Sequence, residues 1–202
     1  MRLNRAQARQ RNHDALVAAA VAEMADKGYV AARLEDIAER AEVTTGAIYS
    51  IFGSKQNLMA AAVRKLASGL DAELAPLEEL ELTLDETLRG IATAYHRAAA
   101  GPLARQRLAF DLELLSLVLR DPAAGQKLVD AMPQRTEDLI ARLLTGRRTT
   151  KRLRTTAEQA RQLAPAVAAL LGGLLQRATV DPASVDEDYC AAAAVALASL
   201  VG

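Results

Sequence analysis

The chain has 202 residues, of which 51% are hydrophobic and 3% aromatic, and its 25 basic side chains balance 25 acidic ones. A disordered chain has low hydrophobicity and a large net charge, so this composition excludes disorder and predicts a folded, globular protein. The longest nearly unbroken apolar run, at 190–201, is 12 residues long. That is short of the roughly 20 residues needed to cross a bilayer, so we expect no transmembrane helix and no membrane partner.

Alanine and leucine dominate the composition, with 44 and 31 copies. These are strong helix formers, whereas β-branched and aromatic residues are sparse, so the sequence predicts an all-α fold of about nine helices. The one cysteine, Cys190, cannot form an intrachain disulfide, and no apolar stretch with a cleavage site begins the chain. Both features lead us to expect a cytoplasmic protein.

The beginning of the chain is basic although the whole is neutral. The first 13 residues contain Arg2, Arg5, Arg9 and Arg11 and no acid. This pattern is typical of a flexible arm that lies against a polyanion such as DNA, although a solvated tail would have the same composition.

The first sixty residues have the pattern of three helices. Apolar residues recur three and four positions apart between residues 9 and 27, and Gly28 ends this first helix. A short helix follows over 34–41, then a tight turn at Glu42-Val43 and a third helix from about Thr45 to Phe52. Thr44 is predicted to cap the third helix through its hydroxyl. Two short helices joined by a tight turn make a helix-turn-helix.

The outward face of the third helix is small and able to hydrogen-bond. Ile48 and Phe52 are predicted to pack inward, and the residues left outside are Thr44, Thr45, Ala47, Tyr49 and Ser50. Such a face suits a helix that enters the major groove of DNA. Gly46 would allow the backbone close to a phosphate, and Lys55 at the start of the fourth helix could bind one. Taken singly, Gly46 and Tyr49 are equally consistent with ordinary surface residues.

The stretch from Gly28 to Leu58 as a whole resembles the DNA-binding domain of TetR-family transcriptional regulators. The matching elements are Gly28-Tyr29, Ile37-Ala38, Val43, Thr44-x-Gly46-x-x-Tyr49, Phe52, Ser54-Lys55 and Leu58. The resemblance implies a double-stranded DNA operator as partner. It also implies that Thr44, Thr45, Tyr49 and Ser50 contact bases or backbone and that Lys55 contacts a phosphate.

Three positions depart from the family pattern. Ala32 and Arg33 stand where a hydroxyl residue usually caps the second helix, so that cap is missing and Arg33 is instead a candidate phosphate contact. Glu42 replaces the usual turn glycine and is expected to strain the turn. Ile51 replaces a polar residue that would lie near the sugar-phosphate backbone.

The sequence predicts two domains, a helix-turn-helix DNA-binding domain with its basic arm over 1–54 and a helical effector-binding and dimerisation domain over 55–202. Further helices are expected at Lys55 to Leu74, Leu84 to Ala100, Leu103 to Arg120, Ala123 to Leu144, Thr156 to Arg177 and Val185 to Val201. The resemblance implies a homodimer, for which we expect residues 156–177 and 185–201 to form the interface. Gly172-Gly173 within an apolar stripe favours a close helix contact, and the less favoured alternative is that both helices belong to the intramolecular core.

The resemblance also implies a small-molecule pocket. Its candidate residues are Tyr95, His96, Phe110 and Glu113, which are aromatic or polar within helices otherwise rich in alanine and leucine. Each is also consistent with ordinary core or surface packing. A basic run at 147–154 between two helices is interpreted as a solvated, mobile loop rather than a second nucleic-acid contact.

Catalytic patterns are missing from the sequence. There are two histidines and one cysteine, with no phosphate-binding glycine loop, no paired-histidine metal motif and no nucleophile elbow, so we expect neither an enzyme nor a cofactor or metal. The preferred hypothesis is a homodimeric transcriptional regulator, a repressor released by a small-molecule effector. The alternative is a helical adaptor that binds other proteins and no specific DNA.

Overall fold

The computed structural model describes residues 5–79, 81–123, 126, 130, 136–149 and 153–201. Ten α-helices occur in these ranges: α1 (Arg5–Ala31), α2 (Leu34–Arg40), α3 (Thr45–Phe52), α4 (Lys55–Leu74), α5 (Pro76–Glu79), α6 (Leu84–Ala100), α7 (Ala104–Arg120), α8 (Thr136–Leu144), α9 (Ala157–Val180) and α10 (Glu187–Ala196). A short 3-10 helix, Leu197–Leu200, follows. The described residues contain no β-strand, only two isolated bridges. The all-α prediction is confirmed.

The chain forms two compact units, and each is built from two separate stretches of sequence. The first unit holds 1–67 and 105–133, and the second holds 68–104 and 134–202. The helix-turn-helix therefore shares its unit with α7. The functional division after residue 54 stays a prediction.

The core of the first unit is assembled from α1 to α4 and α7. Leu16 and Met24 of α1, Ile48 of α3 and Leu58 of α4 are almost completely buried in one apolar cluster. Phe110 of α7 joins the same cluster with 3% of its surface exposed. The short helices α2 and α3 are thus held by burial against their neighbours, because helices of two turns are not stable alone.

Gly28 interrupts α1 as the sequence predicts. Its φ of 81° and ψ of 164° are not helical, and only glycine adopts such angles without strain. A Cβ at this position would also lie 2.8 Å from Oε1 of Glu113 on α7. Glycine is required here for its backbone conformation, whereas the Glu113 carboxylate ends a flexible side chain and could move away from an added Cβ.

The second unit is organised around α9. Eight side chains of this helix are buried, among them Leu163, Val167 and Leu171, which pack in one cluster with α6, α8 and α10. By length and composition α9 is the one described helix that could cross a membrane, with a mean hydropathy of 1.4 over its most apolar window. In this chain 39% of that window is buried, so packing against the other helices explains part of that apolar character.

Both α6 and α9 begin with a capping box. The hydroxyl of Thr83 accepts from the Glu86 amide while the Glu86 carboxylate accepts from the Thr83 amide. Thr156 and Gln159 make the same reciprocal pair at the start of α9. These caps satisfy amides that have no partner within the helix and fix where each helix begins.

The basic run at 147–154 differs from the mobile loop expected from the sequence. On either side of residues 150–152, which lie outside the described residues, the chain pairs with itself as a hairpin. The Gly146 amide donates to the Thr155 carbonyl at 2.8 Å and the Thr149 amide to the Leu153 carbonyl at 2.7 Å. The Arg148 carbonyl accepts from the Leu84 amide at 2.8 Å, so the hairpin is also fastened to the start of α6.

Candidate nucleic-acid interface

A tight turn joins α2 to α3 and sets the direction of α3. The Val43 amide donates to the Ala38 carbonyl at 3.0 Å, and the Glu42 amide donates to the Glu39 carbonyl at 3.0 Å. Ile37 of α2 and Ile48 of α3 are fully buried on either side of the turn. Hydrogen bonds and burial together hold the two helices in a helix-turn-helix arrangement.

Glu42 occupies the conformation that glycine usually supplies. Its φ is 55°, and it is the one described non-glycine residue with a positive φ. A side chain in this left-handed region costs about 1 kcal/mol or more. The strain expected at Glu42 is therefore present, and the buried residues flanking the turn sustain it.

The outward face of α3 has the composition and exposure that groove entry requires. Tyr49 is 57% exposed. Thr44, Gly46 and Ser50 are also exposed, and Thr45 is half-buried. The sequence places Ile48 correctly in the core, whereas Phe52 is only half-buried and stacks on the His13 ring with centroids 4.9 Å apart.

Thr44 does not cap α3 in the way the sequence predicts. It holds the N-cap position, and its carbonyl accepts from the Ala47 amide at 2.9 Å, but its side chain makes no capping hydrogen bond. The hydroxyl instead lies beside Gly46, 3.6 Å from where a Cβ of that residue would be. Because it has no bond to another described residue, this hydroxyl is free to meet a base or a phosphate.

Arg33 confirms the missing cap at the start of α2, since it is the N-cap residue and makes no capping bond. Its guanidinium is exposed, with Nε 3.6 Å from Oε2 of Glu35. Such an exposed ion pair is weak, so the guanidinium can exchange Glu35 for a phosphate.

The start of α4 is fixed relative to the end of α3. The Ser54 hydroxyl accepts from the Asn57 amide at 3.2 Å, and the Asn57 side chain donates to the Phe52 carbonyl at 2.8 Å. Lys55 is half-buried in the first turn of α4, and its Nζ lies 6.0 Å from the centre of the Tyr29 ring. Its charge is therefore positioned at a helix N-terminus, where phosphate binding is favoured.

The basic arm continues into α1. Arg5, Arg9 and Arg11 lie exposed on this helix, whereas Arg2 lies outside the described residues. Nη2 of Arg9 is 3.4 Å from the Ser50 carbonyl of α3. The described part of the arm is thus helical and reaches the end of α3.

A network of ion pairs binds α1 to α2, and the sequence interpretation missed it. Lys27 Nζ lies 2.9 Å from Glu23 Oε2 and 2.7 Å from Asp36 Oδ2. Arg40 contacts Glu23 at 3.2 Å and Asp26 at 2.8 Å. Lys27 lowers the pKa of Asp36, and Asp36 with Glu23 raises the pKa of Lys27. The four-residue spacing of Glu23 and Lys27 on one helix predicts an ion pair between them. The ion pairs between α1 and α2 depend on the fold and could not be predicted from spacing.

The four residues predicted to line a ligand pocket fall in different units. Tyr95 is buried in the core of the second unit, and the half-buried His96 has Nε2 3.3 Å from the Val185 carbonyl. Phe110 belongs to the core of the first unit, as described above, and Glu113 lies there against Gly28. Their role as ligand contacts stays a prediction.

A buried helix-turn-helix that exposes a hydrogen-bonding helix face beside basic side chains defines a DNA-binding protein of the helix-turn-helix class. Residues 16–62 match the family model described as bacterial regulatory proteins, tetR family. Over these residues the chain is similar to TetR-family regulatory proteins.

Solved structures of similar fold extend the likeness over the whole chain. A TetR-like transcriptional regulator from Rhodococcus sp. RHA1 is 22% identical, with all of both chains covered and a TM-score of 0.67. The fatty acid degradation regulator FadR from Bacillus halodurans is 19% identical, with 94% of each chain covered and a TM-score of 0.62. The multidrug binding protein EbrR in complex with proflavin is 21% identical, with 92% of this chain and 99% of that chain covered and a TM-score of 0.56. A search of curated proteins found no match.

Proposed function

We propose that the chain is a homodimeric repressor that reads an operator with α3 of each subunit and leaves the DNA when a small-molecule effector binds its helical domain. The observation that carries the proposal is the exposed face of α3. This face presents side chains that can contact base edges, namely those of Thr44, Thr45, Tyr49 and Ser50. Gly46 has no side chain, so the backbone there is accessible to DNA. Lys55, Arg33 and the arginines of α1 would supply phosphate contacts around this face.

Two glycines of α9 support a dimer. A Cβ on Gly172 or Gly173 would meet nothing within 4 Å in this chain, so no contact within the described part of the chain explains them. Each glycine weakens a helix by about 1 kcal/mol. A second copy of α9 packed closely against this surface would account for both. The large exposed side chains of Tyr189 and Leu200 support an interface that includes 185–201 alongside 156–177.

Two-fold symmetry explains why dimerisation matters for DNA binding. One α3 contacts too few base pairs for useful specificity, whereas a dimer can present two such helices about 34 to 36 Å apart, one turn of DNA. An effector that binds better to a dimer with a different separation would lower DNA affinity, and an effector without such a preference would change nothing. That EbrR is described as a multidrug binding protein supports a ligand role for the helical domain.

Binding to duplex DNA tests the proposal directly. Fluorescence anisotropy would compare DNA flanking this protein's own coding sequence with a scrambled duplex over a salt series. We expect the native duplex to bind about a thousandfold more tightly at physiological salt. Equal affinity for both duplexes would contradict a repressor at that operator, and no binding at low salt would favour the helical adaptor.

A further inference from the structure

The second unit contains a cavity with a strongly polar lining. It lies between the segment before α6, the C-terminal end of α8 and the hairpin at 146–155, and its volume is about 520 Å³. This volume falls within the range of small-molecule sites, roughly 300 to 1,000 Å³. Its charged lining residues are Glu78, Glu81, Arg142, Arg147, Arg148 and Arg154. Among the described lining residues basic side chains outnumber acidic ones, so this part of the cavity favours an anion.

Two of the arginines are held in place by backbone carbonyls. Arg147 donates from Nε to the Leu143 carbonyl at 2.8 Å and from Nη2 to the Leu77 carbonyl at 2.6 Å. Arg154 donates from Nη1 to the Gly146 carbonyl at 2.9 Å. These bonds fix the two guanidinium groups in the wall, and the carbonyl that Arg154 contacts leaves the charge of that residue in place, because a carbonyl carries no net charge.

Arg148 provides hydrogen-bond donors that a ligand in the cavity can use. Its backbone bridges both Thr83 and Arg154 and is therefore fixed. Its guanidinium is exposed and makes no hydrogen bond or ion pair with another described residue, and its charge contributes to lowering the pKa of Glu86. A planar group with five N–H donors on a fixed backbone is suited to bind a phosphate through two parallel hydrogen bonds.

The acidic residues of the cavity limit which anion fits. Glu78 lies 3.6 Å from Arg142, whereas Glu81 is exposed and has no ion pair with another described residue. A ligand with a negative charge at each end would be repelled by Glu81. A ligand with one anionic group and several hydroxyls would place the anion on the arginines and donate hydroxyl protons to this carboxylate.

We propose that this cavity binds a small phosphate ester that carries free hydroxyls, with the phosphate on Arg148 and Arg154 and a hydroxyl on Glu81. Leu82 and Leu143 are the only large apolar side chains among the described lining residues, which disfavours an apolar ligand. The lining residues belong to the second unit and α3 belongs to the first, so the inference does not rest on the proposed repressor function.

Calorimetric titration of the full chain tests this assignment. The probes are glycerol 3-phosphate, ribose 5-phosphate and glucose 6-phosphate, with inorganic phosphate and glucose as the partial ligands. We expect at least one ester to bind saturably and about tenfold more tightly than either partial ligand, since both ends of the cavity contribute. No saturable ester binding at millimolar concentrations, or inorganic phosphate binding as tightly as every ester, would overturn the proposal.

Two variants locate the site. Arg148→Gln is expected to weaken ester binding about tenfold because it removes a charge-assisted bidentate contact. Arg97→Gln removes the same charge from an exposed position on α6 and is expected to leave the affinity unchanged. Equal losses in both variants would show a general charge effect and overturn the assignment. Without ligand, both variants are expected to keep wild-type DNA affinity and helical content, so failure here is distinguishable from failure of the repressor proposal.

Discussion

Tyr49 projects from α3 with more than half of its surface in solvent, although burial of an aromatic ring is ordinarily favourable. If it reads the operator, Tyr49→Ala removes contact with base edges and is expected to weaken specific binding by about tenfold or more. Anisotropy with operator and scrambled duplexes measures the change. Leu153→Ala, at a large side chain with 66% exposure in the second unit, is the control, and equal effects of the two variants would show that Tyr49 has no special role.

Lys55 is expected to act on DNA affinity in a different way, because a phosphate contact carries no sequence information. Lys55→Ala should weaken binding to all duplexes and lower the slope of log affinity against log salt by about 0.9, the value for one phosphate contact. Lys65→Ala removes the same charge from an exposed position on α4 and is expected to keep the slope. An unchanged slope in Lys55→Ala would exclude this residue from the interface.

At the scale of single residues, the sequence predicted positions better than contacts. The inward direction of Ile48 and the strained turn at Glu42 follow from spacing and from the family pattern, and both are observed. The hydroxyl of Thr44 was expected to cap α3, yet it lies beside Gly46. A rotamer of one exposed side chain depends on small energy differences that the sequence does not reveal.

Among the elements, α2 depends most on its neighbours, because it has only seven residues. Lys27 on α1 holds the pKa of Asp36 on α2 below its usual value of 3.8. A carboxyl whose pKa is lowered by folding stabilises the folded state at pH values above its usual pKa, and that contribution disappears as the pH falls through the lowered pKa.

Asp36→Asn is therefore expected to lower the stability of the protein at pH 7, with a gap to the wild type that closes as the pH falls below about 4. Urea unfolding at a series of pH values measures this gap. Glu35→Gln on the same helix, whose carboxylate lies 3.6 Å from an exposed arginine, is the control with little expected effect. A gap that persists unchanged at pH 3 would mean that Asp36 acts by packing rather than by its charge.

The helix boundaries illustrate which elements a sequence defines by itself. The predicted limits of α4 and α6 coincide with those observed, because residues such as Ser54 and Thr83 cap these helices locally. The hairpin at 146–155 was not predicted. Its hydrogen bonds join Gly146 to Thr155 and Arg148 to Leu84, and such non-local pairing leaves no periodic pattern in the sequence.

For the whole molecule, the decisive question is whether α9 meets a second copy of itself. Gly173→Leu adds a bulky side chain where this chain has room, so the monomer should fold while the dimer weakens. We expect the dimer dissociation constant, measured by sedimentation, to rise at least about tenfold, a change of roughly 1.4 kcal/mol. DNA affinity should fall with it.

Gly69 on α4 also has nothing within 4 Å of an added Cβ, and Gly69→Leu makes the same chemical change in another helix. It should leave the dimer intact, and both variants should gain a little helical stability from the loss of glycine. Wild-type association of Gly173→Leu would exclude Gly173 from the interface.

The unit to which each buried residue belongs could not be predicted from the sequence. Phe110 and Tyr95 have the same appearance in the sequence, an aromatic residue in a helix rich in alanine and leucine, yet one lies in the core of the first unit and the other in that of the second. Periodicity identifies the buried face of a helix but not the partner that covers it.

The composition of the first unit has a consequence for the order in which this protein forms during synthesis. The ribosome delivers α1 to α3 long before α7, but the core that α1 to α3 share is completed by Phe110. Until that residue emerges, the nascent helix-turn-helix has an open apolar site, and a fragment that ends at residue 67 would keep it. The part of the chain that binds DNA therefore reaches its full stability only after more than half of the protein has been made.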